Sequence, residues 1–274
     1  MAAAPKLTAV LRTAYNDLFN TCELTSDAGK IIELGGIITR IQSYQKRYVD
    51  LEERAEVPWF VTALIHNMEC SLNFDEHLHN GDSLRRRTVN DPAGRPKTGK
   101  PPFAWDDSAA DALKFDGLTG WTDWTISGIC YKLEAYNGWG SRRKGINTPY
   151  LWSYSNHYTS GKFIADHVWS PTAVSRQCGA AVILRRLCEI GAVSFDAQPG
   201  GVPKNLKLPV GVNYSMFKPN DPEELEKIED LQRVLSLYPG IFLRVDGIPG
   251  RLTSDAYKSV TGNYLPGDPR NTAK

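Results

Sequence analysis

The stretch that most limits how this chain can fold is VPWFVTALIHNMEC, residues 57–70. Laid on a helix, Val57, Trp59, Phe60, Val61, Ala63, Leu64, Ile65 and Met68 cover most sides and leave one narrow polar stripe. A helix that apolar is buried, so the rest of the chain has to be built around it. The stripe is Thr62, His66 and Glu69, spaced i, i+4, i+7 on one face. Glu69 falls in the last turn before the pattern breaks at Ser71 and Asn73. Burial and the negative end of the helix dipole both disfavour its ionised form. A raised pKa is therefore expected, as a general acid working near neutral pH requires. Spacing alone favours the plainer reading, an exposed glutamate at the helix end or one paired to an arginine.

At 274 residues the chain is long enough for one sizeable core and a small second domain. A net charge of +1 implies no strong general attraction to nucleic acid or to anionic membranes. No stretch approaches the length of a membrane span. MAAAPKLTAVLRTAYNDLF lacks a cationic start followed by an unbroken apolar run, so it does not read as a secretory signal. The five cysteines, Cys22, Cys70, Cys130, Cys178 and Cys188, are odd in number and widely spread. They read as buried thiols of a protein made in the cytoplasm, with no zinc-type spacing.

Taken in order, residues 6–22 read as a helix. Thr25, Ser26 and Asp27 signal a second, in which Gly35-Gly36 marks a break or a close helix crossing. Residues 74–104, with four prolines and the basic runs Arg85-Arg86-Arg87 and Arg95, Lys97, Lys100, read as an extended polar lobe. His77 and His79 form an HxH pair that, with His66, makes a weak metal constellation; polar lining of a cleft is the preferred meaning, and no metal or cofactor is expected. WDDSAADALKFDG reads as a helix opened by Asp106 or Asp107 and closed by Gly117. WTISGICYKLEAYNGWG reads as another, stopped at Gly138. PYLWSYSNHYTSGKF is dense in aromatic and amide side chains. Tyr150, Trp152, Tyr154, His157 and Tyr158 suit a sugar groove, where flat rings meet apolar sugar faces; an aromatic-rich packed loop is the alternative. Residues 172–190 read as a long helix, and 192–221, with four prolines, as a linker or arm. PEELEKIEDLQRVLSLYPG is amphipathic and leads into the tight turns of VDGIPG.

Three motifs carry a resemblance. MECSLNF resembles the Glu-Ser-Ser-x-Asn signature that ends the catalytic helix of goose-type lysozymes and soluble lytic transglycosylases, with Cys70 a departure and Ser71 and Asn73 in place. LEAYNGWG resembles the Ala-Tyr-Asn-Ala/Gly-Gly element of the same superfamily, whose Tyr and Asn line the glycan cleft; here they are Tyr136 and Asn137. Leu231, Gln232, Val245, Asp246, Gly247, Gly250, Thr253 and Ala256 stand in the order of a small three-helix peptidoglycan-binding domain, with Pro249 replacing the usual aromatic residue.

The resemblance implies an α+β, mostly α protein. A lysozyme-like catalytic domain, residues 1–191, would carry a β-hairpin lobe directly after Glu69. A linker or arm, 192–221, and a peptidoglycan-binding-like domain, 222–274, would follow. It implies a muramidase of the phage endolysin type, acting as a monomer on bacterial peptidoglycan with Glu69 as general acid. Such an enzyme reaches the wall from the cytoplasm through a holin pore. Asp82 and Asp75 are the candidates for a second carboxylate, since the position nine residues after Glu69 is Leu78. His66, Asn73, His79, Tyr136, Asn137, Trp152, His157 and Tyr158 are the expected substrate contacts. The alternatives are a lytic transglycosylase using Glu69 alone, a non-catalytic wall-binding protein, and an enzyme acting on chitin.

Overall fold

The computed structural model describes residues 4–165, 168–195 and 206–271. Helix α1 (Ala9–Asn20) comes first. Asp27 then caps α2 (Ala28–Ser43), its Oδ1 accepting from the Lys30 amide at 3.0 Å. The Gly35-Gly36 pair marks neither a break nor a crossing. The helix runs through it, and a Cβ at either position would meet nothing within 4 Å. After a joint at Tyr44, α3 (Gln45–Ala55) follows, and then α4 (Trp59–Cys70), which carries Glu69. Val61 to Met68 are all buried, so α4 is enclosed along its middle, with Trp59, Phe60 and Glu69 partly exposed at its ends.

Residues 73–104 contain no strand. This segment is a succession of turns with one isolated bridge, Glu76 to Ser83. The hairpin expected directly after Glu69 is therefore absent there. The segment holds its shape through side-chain-to-backbone bonds, in place of a ladder that its prolines would interrupt. Helix α5 (Trp105–Phe115) opens after Ala104, without a side-chain cap. Asp106 and Asp107 sit inside its first turn, where the helix dipole favours them, and face Arg47 at 3.4 Å and Arg54 at 2.8 Å.

Thr125 caps α6 (Ile126–Asn137), which ends at Gly138 with φ 87°. Two single-turn helices follow, α7 (Gly140–Arg143) and α8 (Pro149–Trp152). The antiparallel pair β1 (Lys162–Ala165) and β2 (Val168–Ser170) is the one sheet among the described residues. Phe163 pairs with Trp169, and the register is irregular between Phe163 and Ala165. The helix expected over 172–190 is only α9 (Ala180–Glu189). Residues 172–179 are irregular because backbone meets backbone there. The Gly179 amide donates to the Ser153 carbonyl at 3.0 Å, and a Cβ on Gly179 would lie 2.3 Å from the Leu151 oxygen.

The chain divides into two compact units. One comprises the residues up to Asn16 with Leu24–Leu187; the other comprises Asp17–Glu23 with the chain from Cys188 onward. In the first, α3 packs on α2, α4 and α5, and α6 packs on α8. Tyr15, Ile41, Tyr48, Leu51, Leu64, Ile65, Leu78, Leu113, Leu118 and Trp152 are among its largest fully buried side chains. Each large apolar side chain of this kind stabilises the fold by roughly 1.5–3 kcal/mol. All five cysteines are buried, and none forms a disulfide.

The second unit holds α10 (Pro222–Leu235) and α11 (Arg251–Thr261) around Ile228, Leu231, Leu235, Leu243 and Leu265. Of the stretch 192–221 expected as a linker or arm, residues 196–205 lie outside the described residues. Val212 belongs to this small core, and Tyr214 packs against it. The Leu-Gln and Val-Asp-Gly motifs meet through one buried side chain. Gln232 Oε1 accepts from the amides of Asp246 and Gly247 at 3.0 Å each, and its Nε2 donates to Asp246 Oδ1 at 2.9 Å and the Ile248 carbonyl at 3.0 Å. Gly247, at φ 70°, has no room for a Cβ, which would overlap Leu225.

Candidate active site

Glu69 sits where α4 stops. The stop is made by two successive non-glycine residues in the left-handed region, Ser71 (φ 48°) and Leu72 (φ 61°). Each such residue costs on the order of 1–2 kcal/mol, and strain of this kind gathers at functional sites. Most of the helix-end carbonyls are engaged. His66 and Asn67 accept from the amides of Leu72 (3.2 Å) and Ser71 (3.1 Å), and Met68 accepts from Gln177 Nε2 (2.8 Å). Gly81 presses against the Glu69 carbonyl closely enough that a Cβ there would lie 3.0 Å from the oxygen. The backbone under the carboxylate is thus clamped from three directions.

The Glu69 side chain is half-buried and accepts from the Tyr150 hydroxyl at 2.9 Å (Oε1). Its pKa is pushed up to about 7. Burial is the main cause; the Tyr150 bond works the other way, and the nearby Asp116 charge adds to the rise. Asp116 is the residue that closes α5, and its own pKa is raised to about 6. Burial again leads, opposed by a hydrogen bond from Tyr136 and by the charges of Arg95 and Lys132. The Tyr136 hydroxyl donates to the Leu78 carbonyl at 2.8 Å. Both tyrosine hydroxyls are held well above their ordinary pKa, by burial first and then by Glu69. Two carboxyls and two phenols therefore form one coupled group.

Of the expected contacts, Tyr136 joins this group. Asn137 is exposed, its Nδ2 3.4 Å from Thr148 Oγ1, and lines a cavity described below. The remainder go elsewhere. Asp82 is buried with Oδ2 accepting from the amides of Val89 (2.8 Å) and Asn90 (3.0 Å). Burial alone would raise its pKa, but the amide bonds outweigh it and hold the carboxyl below its usual range. Asp82 thus pins the turn at residues 88–90 and does not turn toward Glu69. Asp75 is exposed to solvent, and Asn73 spends its side chain on Glu76 (2.8 Å) and the Asp75 amide (3.1 Å).

The histidines are structural in placement. His66 is fully buried. Nε2 meets the Asn73 carbonyl (3.0 Å), which can only accept, so Nε2 carries the proton and Nδ1 accepts from Tyr48 (2.9 Å). His79 meets Asp111 at 3.0 Å, and Arg95 holds the other oxygen of that carboxylate at 2.8 Å. Burial lowers the pKa of both histidines to about 4. His77 lies between Ser108 (2.6 Å) and the Arg86 carbonyl (2.7 Å). Among the described residues no group of three or more His, Cys, Asp or Glu is placed to hold a metal.

Trp152 is 1% exposed and packs edge-on to His157 at 5.6 Å; it offers no face to a ligand. His157 is half-buried beneath it, and its carbonyl accepts from Asn147 at 3.1 Å. The Tyr158 hydroxyl closes the loop below the hairpin, accepting from the Ser175 amide at 3.1 Å and lying 3.2 Å from the Gly161 carbonyl.

Two cavities flank the end of α4. One, about 500 Å³, is lined by Asn137, Tyr150, Lys162, Phe163 and Gln177 among others. The other, about 180 Å³, is lined by Glu33, Gly36, Arg40, Asn67, Ser71 and Gln177. Glu69 itself lines neither. Tyr150 connects it to the larger, and Gln177 borders both. Asp116 and Gln177 were absent from the sequence-derived site, and Tyr150 was read only as part of the sugar-groove run. Tyr150 stood in the aromatic run that drew attention to its neighbours, whereas nothing in sequence marked Asp116 or Gln177. No protein-family model matches the chain, and neither does any curated protein or solved structure.

Proposed function

We propose that this protein cleaves glycan strands of peptidoglycan between N-acetylmuramic acid and N-acetylglucosamine, with Glu69 as the general acid. The observation that carries this is a carboxyl whose pKa is raised to about 7, half-open to solvent at the end of an otherwise buried helix and tied by Tyr150 to a sugar-sized cavity. A carboxyl in that state donates its proton near neutral pH. It protonates the glycosidic oxygen as the C–O bond breaks toward an oxocarbenium-like state. Asp116 replaces Asp82 and Asp75 as the carboxylate whose charge reaches the site. The C-terminal unit, with its Leu-Gln and Val-Asp-Gly elements, holds the polymer and keeps its local concentration high. Release from the cytoplasm to the wall, as endolysins are released, is part of the same proposal.

One observation favours a second outcome. Asp116 is already engaged by a hydrogen bond from Tyr136, which suits a one-acid route. A lytic transglycosylase works that way, the sugar's own 6-hydroxyl closing onto the anomeric carbon. Digestion of purified peptidoglycan by the wild type and by Glu69→Gln, read by mass spectrometry, separates the cases. Reducing-end muramic products that vanish in the variant indicate hydrolysis; products lighter by one water indicate transglycosylation. Equal products from the two proteins make Glu69 structural and sink the proposal; no products from either leave a wall-binding protein.

A further inference from the structure

The smaller cavity, about 180 Å³, is lined by a different set of side chains from those around Glu69. One wall is a single face of α2, where Glu33, Gly36, Ile37 and Arg40 recur at i, i+3, i+4 and i+7. The rest comes from Asn67 and Ser71 at the end of α4 and from Gln177 in the loop before α9. Gly36 packs on nothing: a Cβ there would meet no atom within 4 Å. Its missing side chain leaves that much of the cavity open.

Three lining groups have unmet bonding capacity. Asn67 is 4% exposed, yet its side-chain amide has no hydrogen-bond partner among the described residues. Only its backbone oxygen is engaged, by the Ser71 amide at 3.1 Å and by Gln177 Nε2 at 3.5 Å. Buried amides are ordinarily bonded, so one left open at a cavity wall marks a place where something else binds. The two charges are held apart. Roughly 10 Å of helix axis separates Glu33 from Arg40, which lie about two turns apart. Glu33 Oε2 accepts from the Tyr154 hydroxyl at 2.7 Å, and Arg40 Nη1 donates to the Ser71 carbonyl at 3.2 Å. Both partners are neutral, and neither charge has an ion pair among the described residues. A ligand of one sign would be attracted by one of these groups and repelled by the other, whereas a ligand carrying both signs suits the pair.

We propose that this cavity binds the ammonium–carboxylate head of a small α-amino acid. Glu33 receives the ammonium and Arg40 the carboxylate. The Asn67 amide, donor and acceptor at once, bonds the same head. The volume, about 180 Å³, equals that of about six waters in the liquid, which matches a ligand of about six non-hydrogen atoms such as alanine. The head can belong to a free amino acid or stand at the end of a longer arm. The site does not depend on the cleavage reading. Ser71 and Gln177 support the backbone under Glu69, so the ligand meets that support and not the acid.

The test is a titration of the full chain followed by amide NMR shifts. The probes are racemic alanine, isopropylamine, which lacks its carboxylate, and isobutyrate, which lacks its ammonium. Alanine should bind saturably, and each single-charge analogue about tenfold more weakly. Glu33→Gln and Arg40→Gln should each weaken alanine by about the same factor. Gly36→Leu should abolish binding without lowering the thermal midpoint, since leucine fills the space and forms helix better than glycine; if that variant fails to fold, the two charge substitutions still decide. Racemic Nε-acetyllysine carries the same head on a long arm. Binding equal to that of alanine shows a site for the end of a larger molecule, and its exclusion shows a site for the free amino acid. No saturable binding of alanine leaves a cavity that holds water only and overturns the proposal. Equal binding of the single-charge analogues overturns it, as does binding that survives both charge substitutions. So does an N-acetylglucosamine trimer that displaces alanine, which would make the cavity part of a glycan groove. Loss of lysis on Glu69→Gln is scored separately and is independent of every one of these results.

Discussion

Glu69 is governed by neighbours that act on it in opposite directions. The Tyr150 hydroxyl favours its ionised form, and the Asp116 charge disfavours it. Removing each should therefore move the activity profile in opposite senses. Tyr150→Phe should shift the alkaline limb of the pH–rate profile upward in pH, and Asp116→Asn should shift it downward. A purely structural role for both residues would lower activity without moving either limb. Glu69 itself was legible in sequence, because a lone carboxylate on an otherwise apolar helix has few ways to be accommodated. Asp116 was not. In the run KFDG it is indistinguishable from a helix-closing residue, and only the fold brings its charge near Glu69. Trp152 and Tyr150 show the same limit. They are two positions apart in one aromatic run, and nothing local says that the indole enters the core while the phenol meets the acid.

At the scale of elements, Asp27 caps α2 as the sequence signalled, whereas Asp106 and Asp107, read as the opening of α5, sit inside its first turn after an uncapped start at Ala104. What could not be read were the parts decided by backbone meeting distant backbone. The segment 73–104 is shaped by Asp82 and Thr88 bonding their own loop, and residues 172–179 stay irregular because Gly179 lies against Leu151. Hairpin β1–β2 is short and exposes Phe163, Ile164 and Val168, so its pattern shows no clean alternation. In α2 the glycine pair has no packing role that excuses its cost. Gly35 is exposed within an intact helix and has open space around it. Gly35→Ala should stabilise the N-terminal unit by about 1 kcal/mol. A lowered urea midpoint would show that α2 needs the glycine after all.

For the molecule as a whole, the perturbed groups of the N-terminal unit set competing pH dependences. Glu69 and Asp116 titrate in the folded state near 7 and 6, against ordinary values of 4.5 and 3.8. Between those limits the folded state holds more protons at these carboxyls, so their contribution to stability falls as pH rises. His66 and His79 are lowered from 6.5 to about 4 and do the reverse: the folded state holds fewer protons, and stability is lost as pH falls through that window. From roughly pH 4.5 to 6 the two pairs oppose each other, and the net dependence is shallow. Above pH 6.5 the histidines are neutral in both states, while Glu69 still carries the cost of ionising in a buried place. Glu69→Gln removes that cost alone. Relative to the wild type, the variant should gain on the order of 2 kcal/mol more at pH 8 than at pH 5, after discounting for the partial exposure of the carboxyl. All seven tryptophans lie between Trp59 and Trp169, so urea unfolding followed by tryptophan fluorescence reports on this unit alone. An equal effect of the substitution at both pH values would mean that Glu69 titrates as an ordinary surface carboxylate. The raised proton affinity on which its role as an acid depends would then be absent.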